Sequence, residues 1–270
     1  MPERLVRFRA PDGQVAWGLV QEQEVLPLLA PPFGLPHRDA PIAIHERLPA
    51  GPSLALADCE PLAPCRPSKI VGVGTNYRAH AEEMGRTLPS VPKVFLKAPS
   101  AVADPGSPIL IPPRTKRVDH EAELAVVIAR VTSRVREEDA LDHVLGYTAA
   151  NDVTARDFQR ADGVFARGKG FDTFCPLGPS IALGLDPSDL RVRAWVNGEL
   201  RQDGTTADMV FSVPELIAFV SEVMTLFPGD VILTGTPAGV GPLEDGDEVV
   251  VEVEEVGRLH SPVFDRDDRG

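Results

Sequence analysis

The chain has 270 residues, 43% of them hydrophobic, and a formal net charge of −13 at pH 7. That length can bury a real core and suits one large domain with a small appendage. The acidic balance excludes a nucleic-acid groove, which needs a basic face against phosphates. No apolar run approaches the about 18 residues that span a bilayer. The N-terminal residues alternate charged and apolar side chains, unlike a signal peptide. A cytoplasmic protein with no membrane or nucleic-acid partner is therefore expected. Cys59, Cys65 and Cys175 form too sparse and odd a set for a disulfide framework, and are expected as unpaired thiols.

Residues 4–10, 14–21 and 24–28 read as strands of a small β-rich unit, with Pro11-Asp12-Gly13 supplying the first turn. A proline-rich connector follows over 31–67, with a short helix predicted at 42–47. Lys69-Ile70-Val71-Gly72-Val73 opens a new strand. The boundary falls just before it: 1–66 is a small N-terminal domain with its connector, and 67–270 the main domain. Residues 94–97 and 121–129 read as strands, the second apolar enough to be buried on both faces. A helix is predicted over 137–144 and a strand over 146–152. Residues 190–200 and 248–255 are strand-like, and Asn197-Gly198 is a favourable hairpin turn. The best helix runs over 213–226, capped by Ser212, with Pro214 and Glu215 in its first turn and Pro228-Gly229 beyond its end. A buried strand over 230–233 follows. Strands outnumber helices without a regular βαβ alternation, so the predicted class is α+β and β-rich, a mixed β-sandwich roll.

Glu121 and Glu123 share one face of their strand, since side chains repeat every second residue. Two anions side by side against apolar Leu124-Ala125-Val126-Val127 repel each other and are costly to desolvate. A cation is the simplest compensation. Asp152 ends another apolar stretch in the same way and supplies a third carboxylate. An all-oxygen set selects Mg²⁺, Mn²⁺ or Ca²⁺. The same Glu-x-Glu pattern also suits a solvated strand edge. If residues 77–84 are helical, His80 and Glu83 lie three apart on one face, where the carboxylate can fix the imidazole tautomer and favour a general base. An exposed surface pair has the same spacing. Gly72 and Gly74 do not complete a dinucleotide fingerprint, because Tyr77 stands where the third glycine belongs. Lys169, one of five lysines, sits between Gly168 and Gly170. Thr234-Gly235-Thr236 through Gly239-Val240-Gly241 offers hydroxyls and free amides to an anion, or simply a tight turn.

Over residues 67–265 the chain resembles the fumarylacetoacetate hydrolase family. The motifs appear in family order: Gly74-Thr-Asn-Tyr-Arg-Ala-His80, Val94-Phe-Leu-Lys97, Asp119-His-Glu121-Ala-Glu123-Leu124, and Asn151-Asp152-Val-Thr-Ala-Arg-Asp-Phe-Gln159. Lys169-Gly-Phe171, Trp195-Val-Asn-Gly-Glu-Leu-Arg-Gln202, Pro228-Gly-Asp230-Val-Ile-Leu-Thr-Gly-Thr236-Pro237 and Gly239-Val-Gly-Pro242 follow. The resemblance implies a β-roll assembled as a homodimer, with Mg²⁺ or Mn²⁺ on Glu121, Glu123 and Asp152. It implies that His80 and Glu83 are a water-activating dyad on a lid helix, and that Lys169 and Gln159 are polar groups around the reacting oxygen and bound acid. Thr236 matches a substrate-carboxylate contact, and Lys97 is placed among the substrate-binding residues. The implied substrate is a small anionic 2-oxo acid. The implied reaction is C–C bond hydrolysis of a 2,4-dioxo acid, as in an acylpyruvase. The alternative is isomerisation of a 2-hydroxyhepta-2,4-diene-1,7-dioate, or decarboxylation of a 2-oxo dicarboxylate such as oxaloacetate, in aromatic-compound catabolism.

Overall fold

The structure is a computed structural model that describes residues 2–33 and 51–266. The helix expected at 42–47 lies outside the described residues. A mixed twelve-stranded sheet forms the frame. Along its main path the strands are Leu54–Ala55, Glu24–Pro27, Val15–Gln21, Arg4–Arg9, Cys175–Ala182, Val144–Asn151, Ala122–Ile128, Val231–Leu233, Ile70–Gly74 and Lys93–Lys97. A five-stranded sheet packs against it, in the order Glu199–Thr205, Arg191–Val196, Glu248–Val253, Gly257–Asp265 and Ile109–Ile111. Thr154–Ala155, Val118–His120 and Gly241–Leu243 make a small third sheet. The β-rich α+β roll expected from the sequence is the observed fold.

The central strand Ala122–Ile128 shows why. All seven of its residues are buried. Leu124, Val126 and Ile128 enter the core shared with the long helix and the five-stranded sheet, while Ala125 and Val127 enter the core on the opposite face. Period-two alternation with both faces apolar is what a strand between two layers requires. The N-terminal strands continue the same sheet: Arg4 pairs with Ala182 and Leu5 with Ile181. Leu5, Leu19 and Leu28 share a core with Val127 and Ile181.

The long helix spans Val213–Val223 and carries the full capping box, Ser212 and Glu215 each bonding the other's backbone N–H. It stops three residues short of the expected end because Met224 is already extended. The segment Glu137–His143 is 3₁₀ rather than α-helical. It buries Ala140 alone, so no apolar stripe favours the wider α turn. Asn197 and Gly198 have φ of 53° and 79°, the two left-handed residues of a type I′ hairpin. The three cysteines are free and buried. Burial pushes the Cys175 thiol up to about 12, and Cys65 rises further for the same reason, so neither is a thiolate at neutral pH. No helix among the described residues is long and apolar enough to cross a membrane.

Candidate metal centre and active-site cleft

The central strand pair brings the acidic residues together. Ala122 pairs with Asn151 and Glu123 with Ala150, so Asp152 comes level with Glu121 across the ladder. Glu121 and Asp152 each stand one residue beyond the regular strand, where sequence reading placed them inside it. The Asp152 N–H still donates to the Glu121 carbonyl at 2.8 Å, and the Asn151 side chain accepts from the Glu121 N–H at 2.9 Å. This side-chain clamp ends the ladder and turns both carboxylates to one place. Ligand oxygens of Glu121, Glu123 and Asp152 lie within 4.8 Å of one another. All three residues are buried, Glu123 and Asp152 at 1% exposure, which rules out the solvated edge.

Three cations surround them unequally. The Lys169 ammonium bonds Glu121 Oε2 at 2.8 Å, Thr154 Oγ1 at 2.8 Å, and Asp152 Oδ2. Arg156 joins Glu121 Oε1 at 2.5 Å to Asp119 Oδ2 at 2.7 Å. Lys97 bonds Asp152 Oδ1 at 2.5 Å and the Val153 carbonyl at 3.3 Å. Glu123 has no cationic partner among the described residues; it accepts the Gly235 N–H at 2.7 Å. The protonation equilibria follow. Burial alone would raise the Glu121 carboxyl, but Lys169 and Arg156 together hold it well below the usual carboxylate range. Burial, then repulsion from Asp152 and Glu121, raises Glu123 well above that range. Burial opposes the charge on Lys169, yet Asp152 and Glu121 keep its pKa raised. An all-oxygen donor set in which burial and two neighbouring carboxylates keep one carboxyl from ionising fits a hard divalent cation.

A partly open cleft lies above these carboxylates. His80, Met84, Arg86, Phe95, Gln159 and Thr236 are among the residues on its walls. His80 lies on the helix Arg78–Glu83 and is 7% exposed. Its Nδ1 is 3.2 Å from Glu83 Oε2, and the Glu83 carboxylate also accepts the Gly239 N–H at 3.1 and 3.3 Å. The expected i, i+3 pair is therefore formed and anchored to the loop after the strand Val231–Leu233. With Nδ1–H donated to Glu83, the other ring nitrogen keeps its lone pair. Asn76 fixes the approach to this helix by donating to the Thr234 carbonyl at 2.8 Å and to the Phe211 carbonyl at 3.0 Å. Gly235, at φ +97°, is required here: a Cβ would come within 2.8 Å of the Asn76 Cβ. Gly72 has an equally local reason, since a Cβ there would strike the Phe95 ring at 2.2 Å. Gly72 makes room for an aromatic wall of the cleft.

Gln159 is half-buried on the helix Arg156–Asp162, and its side-chain carbonyl accepts from Arg156 at 3.3 Å. Lys97 departs from the substrate-binding position expected of it. It is 2% exposed, does not line the cleft, and lies behind Asp152, where it fixes that carboxylate. Its strand, Lys93–Lys97, runs past the triad and ends with this side chain turned inward. Lys169 lies in a one-turn helix, Ala166–Lys169, rather than in a free glycine loop.

Arg156 and Gln202 fall inside two of the family motifs, but neither spacing nor charge pattern in the sequence gives them a role in the site. Gln202 is wholly buried and accepts from the Ala122 N–H at 3.0 Å and from His120 Nδ1 at 2.9 Å. It donates to Thr236 Oγ1 at 2.7 Å and to the Pro237 carbonyl at 2.8 Å. The Thr236 hydroxyl in turn donates to the Ala122 carbonyl at 2.8 Å. Gln202 thus fixes which way that hydroxyl points. Replacing it with leucine would leave several buried polar groups without partners, and the expected cost is about 3 kcal/mol. Chemical denaturation of the purified Gln202→Leu variant checks this; a loss within about 0.5 kcal/mol, the usual range of surface substitutions, would discount the clamp.

Both parts of the chain have counterparts among known proteins. The family model for Fumarylacetoacetate (FAA) hydrolase C-terminal matches residues 69–264, and that for Rv2993c-like, N-terminal matches residues 3–64. The human mitochondrial oxaloacetate tautomerase FAHD2A is 41% identical, covering 96% of this chain and 91% of that protein. The crystal structure of a 5-carboxymethyl-2-hydroxymuconate delta-isomerase from Mycobacterium smegmatis superposes with a TM-score of 0.87 at 44% identity, covering 97% of this chain and all of the other. A maleylpyruvate hydrolase from Sphingobium sp. SYK-6, solved with manganese(II) and pyruvate, gives a TM-score of 0.78 at 33% identity, covering 98% of this chain and all of the other. Matched by that family model over residues 69–264 and similar to these relatives over nearly its whole length, the chain belongs to the fumarylacetoacetate hydrolase family.

Proposed function

We propose that this enzyme binds Mg²⁺ or Mn²⁺ on Glu121, Glu123 and Asp152 and moves a proton at the carbon next to the keto group of a 2-oxo acid, interconverting keto, enol or double-bond isomers. The observation that carries the reading is the assembled His80–Glu83 pair on the wall of the cleft that contains the triad. The bound cation would supply Lewis acidity to the substrate's carboxylate and keto oxygens. The unprotonated ring nitrogen of His80 takes the proton from C3 and later returns it to the enolate at carbon or oxygen. Glu83 holds the ring and stabilises the imidazolium formed in between. The Lys169 ammonium places positive charge beside the developing enolate oxygen. Gln159 and Thr236 lie on the walls that would orient the acid. The tautomerase and isomerase relatives support proton transfer as the reaction type.

Hydrolysis is the second reading, favoured by the maleylpyruvate hydrolase relative. There the same base would take its proton from water, the resulting hydroxide would attack the distal carbonyl of a 2,4-dioxo acid, and the C–C bond would break to leave an enolate. Both readings are tested together by incubating Mn²⁺-loaded enzyme in D₂O with oxaloacetate, 2-oxobutanoate and acetylpyruvate. Deuterium entering C3, lost on chelation, is the expected result. Rapid cleavage of acetylpyruvate to acetate and pyruvate would instead favour hydrolysis. Neither exchange nor cleavage of any of them would refute both.

A further inference from the structure

The cleft walls carry Arg156, Lys169 and Arg86 as their cations. Arg156 and Lys169 are committed to buried carboxylates. Arg86 is not. Among the described residues its side chain has one partner, the Thr75 hydroxyl at 3.4 Å, and no acid. Most of the five N–H donors of its guanidinium are therefore available to a ligand. Thr75 is itself unusual: it is 8% exposed and sits at φ +60°, a left-handed conformation that a β-branched residue seldom adopts. The flanking Asn76 bonds hold it there, which keeps its hydroxyl beside Arg86. Met84, Phe95 and Phe165 line the same cleft, and Arg86 itself is exposed. In a chain of net charge −13, a guanidinium that pairs with no acid among the described residues, on the wall of the cleft, is matched to an anionic group on the substrate itself. A planar fork of N–H donors suits a carboxylate in particular.

We propose that Arg86, held by Thr75, is a specificity-determining residue that takes the distal carboxylate of a 2-oxo dicarboxylate, whose 2-oxo acid end lies at Glu121, Glu123 and Asp152. This rests on the 2-oxo acid reading above and narrows it to substrates with a second negative charge. A 2-oxo monocarboxylate gains nothing from Arg86.

Oxaloacetate and 2-oxobutanoate share a four-carbon chain and differ in the distal carboxylate, so they form the test pair. Metal-dependent deuterium exchange at C3 is measured for both in wild type, Arg86→Met and Arg86→Lys. Arg86→Met is expected to lower kcat/KM for oxaloacetate by about tenfold or more, the scale of a lost charge-assisted hydrogen bond. It should leave 2-oxobutanoate unchanged, and lysine should restore part of the loss. Calorimetric titration of the Mn²⁺-loaded proteins with malate and 2-hydroxybutanoate, which do not react, should show the same selective loss of affinity, with Mn²⁺ affinity unaltered. Equal effects on both members of each pair, in an enzyme whose wild type processes them, would overturn the role of Arg86 alone. Failure of the wild type to exchange or bind any of them would overturn this inference, and failure to cleave acetylpyruvate as well would overturn the 2-oxo acid reading with it.

Discussion

Replacing Glu123 with glutamine is expected to weaken divalent-cation binding by a hundredfold or more while leaving the metal-free fold intact. The substitution preserves side-chain shape and can still accept the Gly235 N–H, now 2.7 Å from Glu123 Oε2. No buried donor is orphaned, and the strand Ala122–Ile128 keeps its register. What disappears is one of three anionic ligands, the one that no lysine or arginine among the described residues contacts. Removing a charged ligand from a hard-cation site typically costs several kcal/mol, and about 2.7 kcal/mol already corresponds to a hundredfold in Kd. Titration of Mn²⁺ followed by electron paramagnetic resonance reads the affinity directly, and circular dichroism checks the fold. Undiminished Mn²⁺ affinity in a folded Glu123→Gln protein would count decisively against the triad as the cation site.

The same residue predicts how stability depends on pH. Burial, then Asp152 and Glu121, raise the Glu123 carboxyl above its unfolded value. The folded, metal-free protein therefore holds a proton that the unfolded chain releases at about pH 4.3. Stability from this group is complete below that pH and is lost as pH rises toward and through the raised folded value, with a slope of at most about 1.4 kcal/mol per pH unit. Glutamine carries no such proton, so the wild-type-minus-variant stability difference should fall with rising pH in chelator-treated protein. Cation binding must displace the proton, so Mn²⁺ affinity of the wild type should rise over the same window.

How far the site is legible in the sequence depends on sequence distance. Glu121 and Glu123 are two residues apart on one strand, so the period of two is enough to place them together. His80 and Glu83 are three apart on one helix, and the helical period does the same. Asp152 is reachable because it closes an apolar run, although its alignment with Glu121 rests on the Ala122–Asn151 register, which hydrophobicity alone does not set. Arg156 escapes notice because its partners Asp119 and Glu121 lie 37 and 35 residues away. Gln202 reaches His120 across 82 residues and Thr236 across 34. Such contacts have no periodic signature. Lys97 is misplaced for a related reason: its motif marks it as important, but only the packing of an edge strand shows that it faces Asp152 from behind. The long helix is legible because Ser212 and Glu215 form a local capping box, whereas the 3₁₀ geometry of Glu137–His143 follows from how little that segment buries.

Replacing His80 with alanine should lower kcat by about two to four orders of magnitude, the usual worth of a positioned general base. Mn²⁺ affinity should stay within about twofold of wild type, because His80 bonds Glu83 and none of the three carboxylates that would hold the cation. The separation of these two effects is what makes the prediction informative. A residue that merely supported the cleft would disturb both, since loss of packing would loosen the loop that gives Gly235 N–H to Glu123 and Gly239 N–H to Glu83. Glu83→Gln provides a graded control: the amide can still accept from Gly239, but it no longer stabilises an imidazolium, so kcat should fall less than in His80→Ala. Single-turnover exchange in D₂O with saturating Mn²⁺ measures the proton-transfer step itself rather than product release. A His80→Ala enzyme that exchanges C3 protons at the wild-type rate would remove His80 as the base. It would move the proton transfer to another group on the cleft walls.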